Sequence, residues 1–350
     1  MGSIWYASNE FRRCLCLAKF SAFGLKSNLR IFLVLSLCFL FVGQAFARPL
    51  IKTSQGNCET LLECKVFFVV SLLPDWPVNF TRNEEPEGSG IVLSDGKTIA
   101  TADHVLGPAK SARVRTFNGQ ILDAKIIMRD PQTDIAFLRI ERSLPVFEFQ
   151  KEIALGDKAC AVGNSFGLDI SLTCGVVSAK QISGVGFNRI EDFIQTDASV
   201  NPGMSGGALV DAEGKLIGML SAIFTRQSDA NIGVNFAVSA NLLERVLQDF
   251  EEDGTLSHTK TGIVVRPSKP KQNGNGISDY IGAEVVRVEP NSAEEKAGVL
   301  ARDIIIYAGD RRIKRAGAYE AAVALLKDEK SLELSILRQD KNIRITVDYE

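Results

Sequence analysis

Apolar residues in this chain fall in short runs separated by turn residues. Residues 65–72 are apolar almost throughout and rich in Val and Phe, which predicts a first strand. A polar loop holding Pro, Asn and acidic residues follows at 74–86. Hairpins come next. Residues 90–93 and 98–101 flank Asp95-Gly96, 112–117 and 120–122 flank Asn118-Gly119, and 207–210 and 215–218 flank Glu213-Gly214. Asp-Gly and Asn-Gly between apolar strands are strong hairpin signals. Short strands with regular turns predict a barrel or a sandwich. A helical period appears at 239–250, where Ser239 is a good N-cap and Leu242, Leu243, Val246, Leu247 and Phe250 make one face.

The first 47 residues have a different pattern. Arg12, Arg13, Lys19, Lys26 and Arg30 precede an apolar run at 31–42, and Ala45-Phe46-Ala47 closes it. This is the layout of a secretory signal peptide, with cleavage expected after Ala47. The run is shorter than the roughly 20 residues of a comfortable membrane span. The long basic region leaves an uncleaved anchor as the alternative. The 350 residues suit two domains, and a net charge of −2 gives no reason to expect nucleic acid. No metal or cofactor is expected.

Four of the seven cysteines, Cys58, Cys64, Cys160 and Cys174, lie beyond the presequence. An even number in an exported chain suggests disulfides. Cys160 and Cys174 flank the loop 164–169 as facing residues of a hairpin would, which predicts Cys160–Cys174, and Cys58–Cys64 beside it. Buried free thiols are the alternative.

Candidate chemistry centres on Asn201-Pro202-Gly203-Met204-Ser205-Gly206-Gly207. Serine needs a neighbouring base to become a nucleophile. Glycines around it let the backbone bend and aim N–H groups at one point, as an oxyanion hole requires. The stretch Gly203, Met204 and Ser205 is the candidate. The chain has two histidines. His258 sits in a polar stretch after an acidic run and reads as linker, so His104, at the end of an apolar strand, is the candidate base. Asp134 begins an apolar run and suits the orienting carboxylate; Asp130 and Asp103 are rivals.

The order His104, Asp134, Ser205 is the chymotrypsin order. With Gly88-Ser89-Gly90-Ile91-Val92, Thr101-Ala102-Asp103-His104-Val105, Thr133-Asp134-Ile135-Ala136, Val162-Gly163-Asn164-Ser165-Phe166-Gly167, Gln195-Thr196-Asp197-Ala198 and Asn231-Ile232-Gly233-Val234-Asn235-Phe236-Ala237, the chain resembles the HtrA/Deg serine proteases over roughly residues 58–350. Met204 stands where that family more often has Asn.

The resemblance implies a mainly β fold. A chymotrypsin-like double β-barrel protease domain at 48–252 would be followed by a linker at 253–260 and a small α+β PDZ domain at 261–350. It implies an exported, periplasmic serine endopeptidase that cleaves unfolded or damaged proteins. A non-enzymatic chaperone or peptide-binding adaptor, or a regulatory protease with few membrane-protein targets, would be the alternatives. Val200, Ile223 and residues 231–237, including Asn235 and Phe236, would wall a small apolar pocket. Substrate would pair as a strand along Gly218, Leu220 and Ala222. Mobile switch loops would lie at 181–192, 199–203 and 224–233. Thr261, Gly262 and Ile263 would bind the carboxylate of C-terminal peptides. The chain would form a homo-oligomer, a trimer in the family, with Phe67 and Phe68 weighed as a trimer contact against a place in the core.

Overall fold

The computed structural model describes residues 51–52, 57–58, 60–76, 88–93, 95–221, 233–254, 258–269, 271–272, 278–279, 282–326, 330–339 and 341–349. Residues 1–47, expected as a signal peptide, lie outside them. Among the described residues no helix is long and apolar enough to cross a membrane.

The first barrel is built from β1 (Val69–Pro74), β2 (Gly88–Val92), β3 (Thr98–Ala102), β4 (Ala112–Thr116), β5 (Ile121–Asp130) and β6 (Ile135–Arg139). These close in the order β1-β2-β3-β6-β5-β4. Strand alternation sorts the side chains. Val70, Leu72, Val92, Ile99 and Leu138 fill one cluster, while their neighbours Val69, Ile91 and Phe137 face another.

The second barrel comprises β7 (Lys158–Ser165), β8 (Asp169–Ile182), β9 (Phe193–Thr196), β10 (Ala208–Val210), β11 (Leu216–Ser221) and β12 (Asn235–Ser239). It closes as β8-β9-β12-β11-β10-β7. Cys160 and Cys174 face each other across β7 and β8 and are joined by a disulfide. Cys64 is disulfide-bonded as well; the side chain of its expected partner Cys58 lies outside the described residues.

The short α1 (Asp103–Leu106) leaves β3, and α2 (Ala240–Asp253) follows β12. The Ser239 hydroxyl accepts from Leu242 N–H at 3.1 Å, and Gly254 ends α2 in the left-handed region at φ 66°. Leu242, Leu243, Val246 and Leu247 join the apolar cluster that also holds Val69, Phe137, Phe193 and Phe236, so α2 binds both barrels.

The first strand begins later than the apolar run predicts. Residues Glu63–Phe68 form a 3-10 helix. Phe67 packs edge-on against Phe117, with ring centroids 5.1 Å apart, and Phe68 packs on Phe147 at 5.2 Å. Both rings pack inside the chain, Phe67 buried and Phe68 partly buried.

The C-terminal sheet runs β13 (Ile263–Pro267), β14 (Ala283–Val288), β15 (Ile304–Ala308), β17 (Ser331–Arg338), β18 (Lys341–Asp348), with β16 (Arg311–Arg312) paired to β15. Helices α3 (Ala293–Lys296) and α4 (Ala316–Ala324) complete it. Its core gathers Val285, Ile305, Ile313, Tyr319, Leu334 and Val347. This domain docks on the second barrel and α2. Arg311 pairs with buried Asp192 at 2.6 Å, Arg245 Nε donates to the Leu326 carbonyl at 2.7 Å, and a Cβ on Gly317 would press on Gly184.

Candidate active site

The first barrel brings His104 to Asp134 because β3 and β6 are neighbours, with Ala102 paired to Ile135. His104 Nδ1 lies 2.8 Å from Asp134 Oδ2, and His104 backbone N–H donates to Asp134 Oδ1 at 2.9 Å. A carboxylate only accepts, so Nδ1–H donates to Asp134 and Nε2 is the nitrogen left to exchange a proton. Asp134 is buried, whereas the His104 side chain is half exposed. Ser221 of the second barrel donates to Asp134 Oδ2 at 3.3 Å. The two rivals have other partners: Asp103 takes Arg129 Nε, and Asp130 takes His258 and Thr133.

Asp134 sits at φ 61°, an uncommon conformation for a residue with a side chain. The turn before it is held in several ways. Asp130 Oδ2 accepts from Thr133 Oγ1 at 2.6 Å and lies 2.7 Å from His258 Nε2, while Asp130 Oδ1 accepts from Gln132 N–H at 3.1 Å. His258 is therefore no free linker residue: it is buried against the turn that presents Asp134. Its sequence context, polar and just past an acidic run, hid a partner 128 positions away.

Burial alone would push the Asp130 carboxyl up, but the His258 and Thr133 hydrogen bonds, the His258 charge and Gln132 N–H outweigh it and hold the group below its ordinary value. A carboxyl whose folded pKa is depressed stabilises fully above the unfolded carboxylate range. That contribution is lost as pH falls through the depressed value. Asp130→Asn is expected to cost about 2 kcal/mol at neutral pH. It should also flatten the acid side of the stability curve, both read by urea unfolding across a pH series.

Ser205 comes from the second barrel, and the next residue, Gly206, packs on Thr101 and Ala102 at the end of β3. Gly206 N–H donates to the Leu220 carbonyl at 2.7 Å, and Ser89 N–H takes the Ser205 carbonyl at 2.8 Å. Ser89 Oγ donates to the Gly203 carbonyl and accepts from Asn164 N–H, both at 2.8 Å. A Cβ on Gly206, at φ 82°, would overlap the Ser89 carbonyl and the Thr101 hydroxyl, three residues before His104. Met204 N–H donates to the Asn201 carbonyl at 3.0 Å, which removes Met204 from the oxyanion donors. Its side chain is fully buried beside Val200 and Leu220. Among the described residues, the N–H groups of Gly203 and Ser205 and the Ser205 hydroxyl make no hydrogen bond within the protein. The Pro202 carbonyl accepts from Phe166 N–H at 2.7 Å, so the Gly203 N–H, across a trans peptide, faces away from Phe166.

The expected substrate contacts are rearranged. Strand β11 is paired on both edges, with Gly218 opposite Leu209 and Ser239 and Leu220 opposite Ala237. Leu220 also exchanges both backbone bonds with Gly206 and Gly207. Neither Gly218 nor Leu220 has an open edge, so neither can pair with a substrate strand. Ala222 and Ile223 lie outside the described residues. Phe236 points into a ring cluster with Phe187 and Phe193, at 5.9 and 5.8 Å, on the opposite face of β12 from Asn235. Asn235 Nδ2 holds the Ala198 carbonyl at 2.8 Å and Val200 is buried nearby, so these two residues support the Ser205 turn from below.

Of the expected switch loops, 224–232 lies outside the described residues. The loop at 181–192 is built around one side chain. The buried Glu191 carboxylate accepts from the N–H groups of Val185, Gly186, Phe187 and Asn188 at 2.6–3.1 Å. Ile190 N–H and Asn188 Nδ2 then hold the Gln132 and Thr133 carbonyls.

At the C-terminal domain, the Gly262 and Ile263 N–H groups and the Thr261 hydroxyl are already engaged. Gly262 N–H is 3.0 and 3.2 Å from the two Glu294 carboxylate oxygens, and Ile263 N–H donates to the Thr261 hydroxyl at 3.2 Å. No metal-binding group of His, Cys, Asp and Glu occurs among the described residues.

A family profile described as "Trypsin-like peptidase domain" matches residues 88–219. The chain is 34% identical over 269 residues to the periplasmic serine endoprotease DegP of Escherichia coli K12, covering 75% of this chain and 56% of that one. It is 33% identical over 291 residues to the periplasmic pH-dependent serine endoprotease DegQ of the same organism, covering 81% and 63%. The chain thus spans just over half the length of these curated relatives. Among solved structures, the HtrA-type protease AlgW with tripeptide aligns with TM-score 0.63 and 31% identity, over 81% of this chain and 93% of that one.

Proposed function

The chain belongs to the HtrA-type serine proteases, and on that premise we propose that it is an exported serine endopeptidase acting on unfolded polypeptide. The observation that carries the reading is the His104–Asp134 pair, its carboxylate buried and its imidazole half exposed, together with the unengaged N–H groups of Gly203 and Ser205 on the turn that carries the serine. Ser205 Oγ attacks the peptide carbonyl carbon, and His104 Nε2 takes the hydroxyl proton. Asp134 holds the imidazole and stabilises its charge. The oxygen of the tetrahedral intermediate takes the Gly203 and Ser205 N–H groups, each worth about 3–4 kcal/mol in such sites. Collapse expels the amine with the proton from His104, and water then releases the acyl group by the same steps.

The periplasmic location, assembly as a trimer and the assignment of residues 261–350 as a PDZ domain belong to the same proposal. The location is supported by the printed names of the relatives, and the trimer and the PDZ assignment rest on the resemblance of the motifs. The test is digestion of unfolded casein together with labelling by a fluorophosphonate. Casein fragments and a label on Ser205 are expected. A folded protein that neither cleaves nor takes the label would overturn the reading.

A further inference from the structure

Glu294 is fully buried, yet a carboxylate is expensive to bury without partners. Here it has four. Thr261 Oγ1 donates to Oε1 at 2.8 Å, Tyr319 OH at 2.9 Å and Tyr349 OH at 3.1 Å, while Gly262 N–H reaches both oxygens. The two phenols are 2.7 Å apart. Burial first, then Tyr349 and Glu294, push the Tyr319 hydroxyl far above its ordinary value; burial does the same to Tyr349. Both stay neutral donors at any physiological pH.

The carboxylate is also held from its own side. Ser292 caps α3 by accepting from Glu295 N–H at 3.1 Å, and Glu295 reaches back to Asn291 N–H at 2.6 Å. Gly262 is pressed against Ser292, with no room for a Cβ. The loop that opens β13 therefore closes on an internal anion, with backbone N–H and hydroxyl donors arranged as for a chain terminus.

We infer that Glu294 is a resident occupant of the carboxylate site of the C-terminal domain, so that this domain does not take free peptide C-termini. The expected partnership of Thr261, Gly262 and Ile263 with C-terminal peptides is replaced by an internal one. An incoming terminus would compete with a tethered carboxylate that already holds Thr261, Gly262 and the phenol pair, whose two protons serve three contacts, at no loss of translational freedom. The domain then serves as a fixed part of the protein, consistent with its docking through Arg311, Arg245 and Gly317.

The test is fluorescence anisotropy of a fluorescein-labelled peptide ending in Ala-Leu-Val, as free acid and as C-terminal amide. The full chain carries Ser205→Ala to prevent turnover, and the readout does not depend on the protease reading. In the parent, acid and amide should bind alike. A preference of about tenfold or more for the acid, about 1.4 kcal/mol, overturns the inference. Glu294→Ala should acquire a preference of about that size, since it vacates the donors; a folded Glu294→Ala that gains none also overturns it. Sodium acetate, but not sodium chloride at equal ionic strength, should raise the Tm of Glu294→Ala and leave the parent unchanged. If Glu294→Ala does not fold, the acid-to-amide ratio of the parent decides alone.

Discussion

Ser205→Ala should lower casein turnover about a millionfold while leaving the melting temperature almost unchanged. Both halves follow from the site. The hydroxyl is the atom that forms the acyl bond, and no other group near Gly203 can replace it. Among the described residues it makes no hydrogen bond within the protein, so its removal leaves no partner unsatisfied. The turn itself is held by backbone and by Ser89, which the substitution does not touch. Substituting Ser89 should show the opposite balance, because that hydroxyl bonds both the Gly203 carbonyl and Asn164 N–H. A Ser205→Ala protein that still cleaved casein would dismiss Ser205 as the nucleophile.

Asp134→Asn is expected to reduce kcat about ten-thousandfold with a smaller effect on KM. The two carboxylate oxygens accept from His104 N–H, His104 Nδ1–H and Ser221. An amide has one accepting oxygen. The His104 backbone N–H cannot shed its proton and keeps the amide oxygen, so the NH₂ faces Nδ1 and the imidazole changes tautomer so that Nε2 carries the proton. With two histidines in the chain, ¹⁵N-histidine spectra can follow this change: the His104 signals should exchange their protonated and unprotonated nitrogens while those of His258 stay. Loss of activity without that exchange would assign Asp134 a purely structural part.

Much of this was legible in the sequence because it is local. Asp-Gly, Asn-Gly and Glu-Gly located hairpins that pair as expected, and Ser239 with its apolar face located α2. The chemistry could be narrowed because histidine is so scarce. Edge pairing was not legible. Gly218 and Leu220 look like any strand residues, and only closure of the barrel shows that both edges of β11 are taken. Asn235 and Phe236 were expected on one wall, but neighbours on a strand face opposite ways, and only Asn235 lies toward the Ser205 turn. His258 and Glu294 were missed for a common reason. Each is a polar residue in a polar segment, and each is buried by a partner far along the chain. Glu294 left one trace: an acid two residues into a short helix whose neighbours face the core.

The place of Ser89 between the barrels has a consequence for the protein in transit. The first barrel owns the base and its carboxylate, the second owns the nucleophile, and one serine from the first props up the turn of the second. A half-folded chain has a complete set of neither reagents nor supports. Catalytic power therefore needs both halves joined: neither barrel alone holds the base, its carboxylate, the nucleophile and the support of the nucleophile's turn.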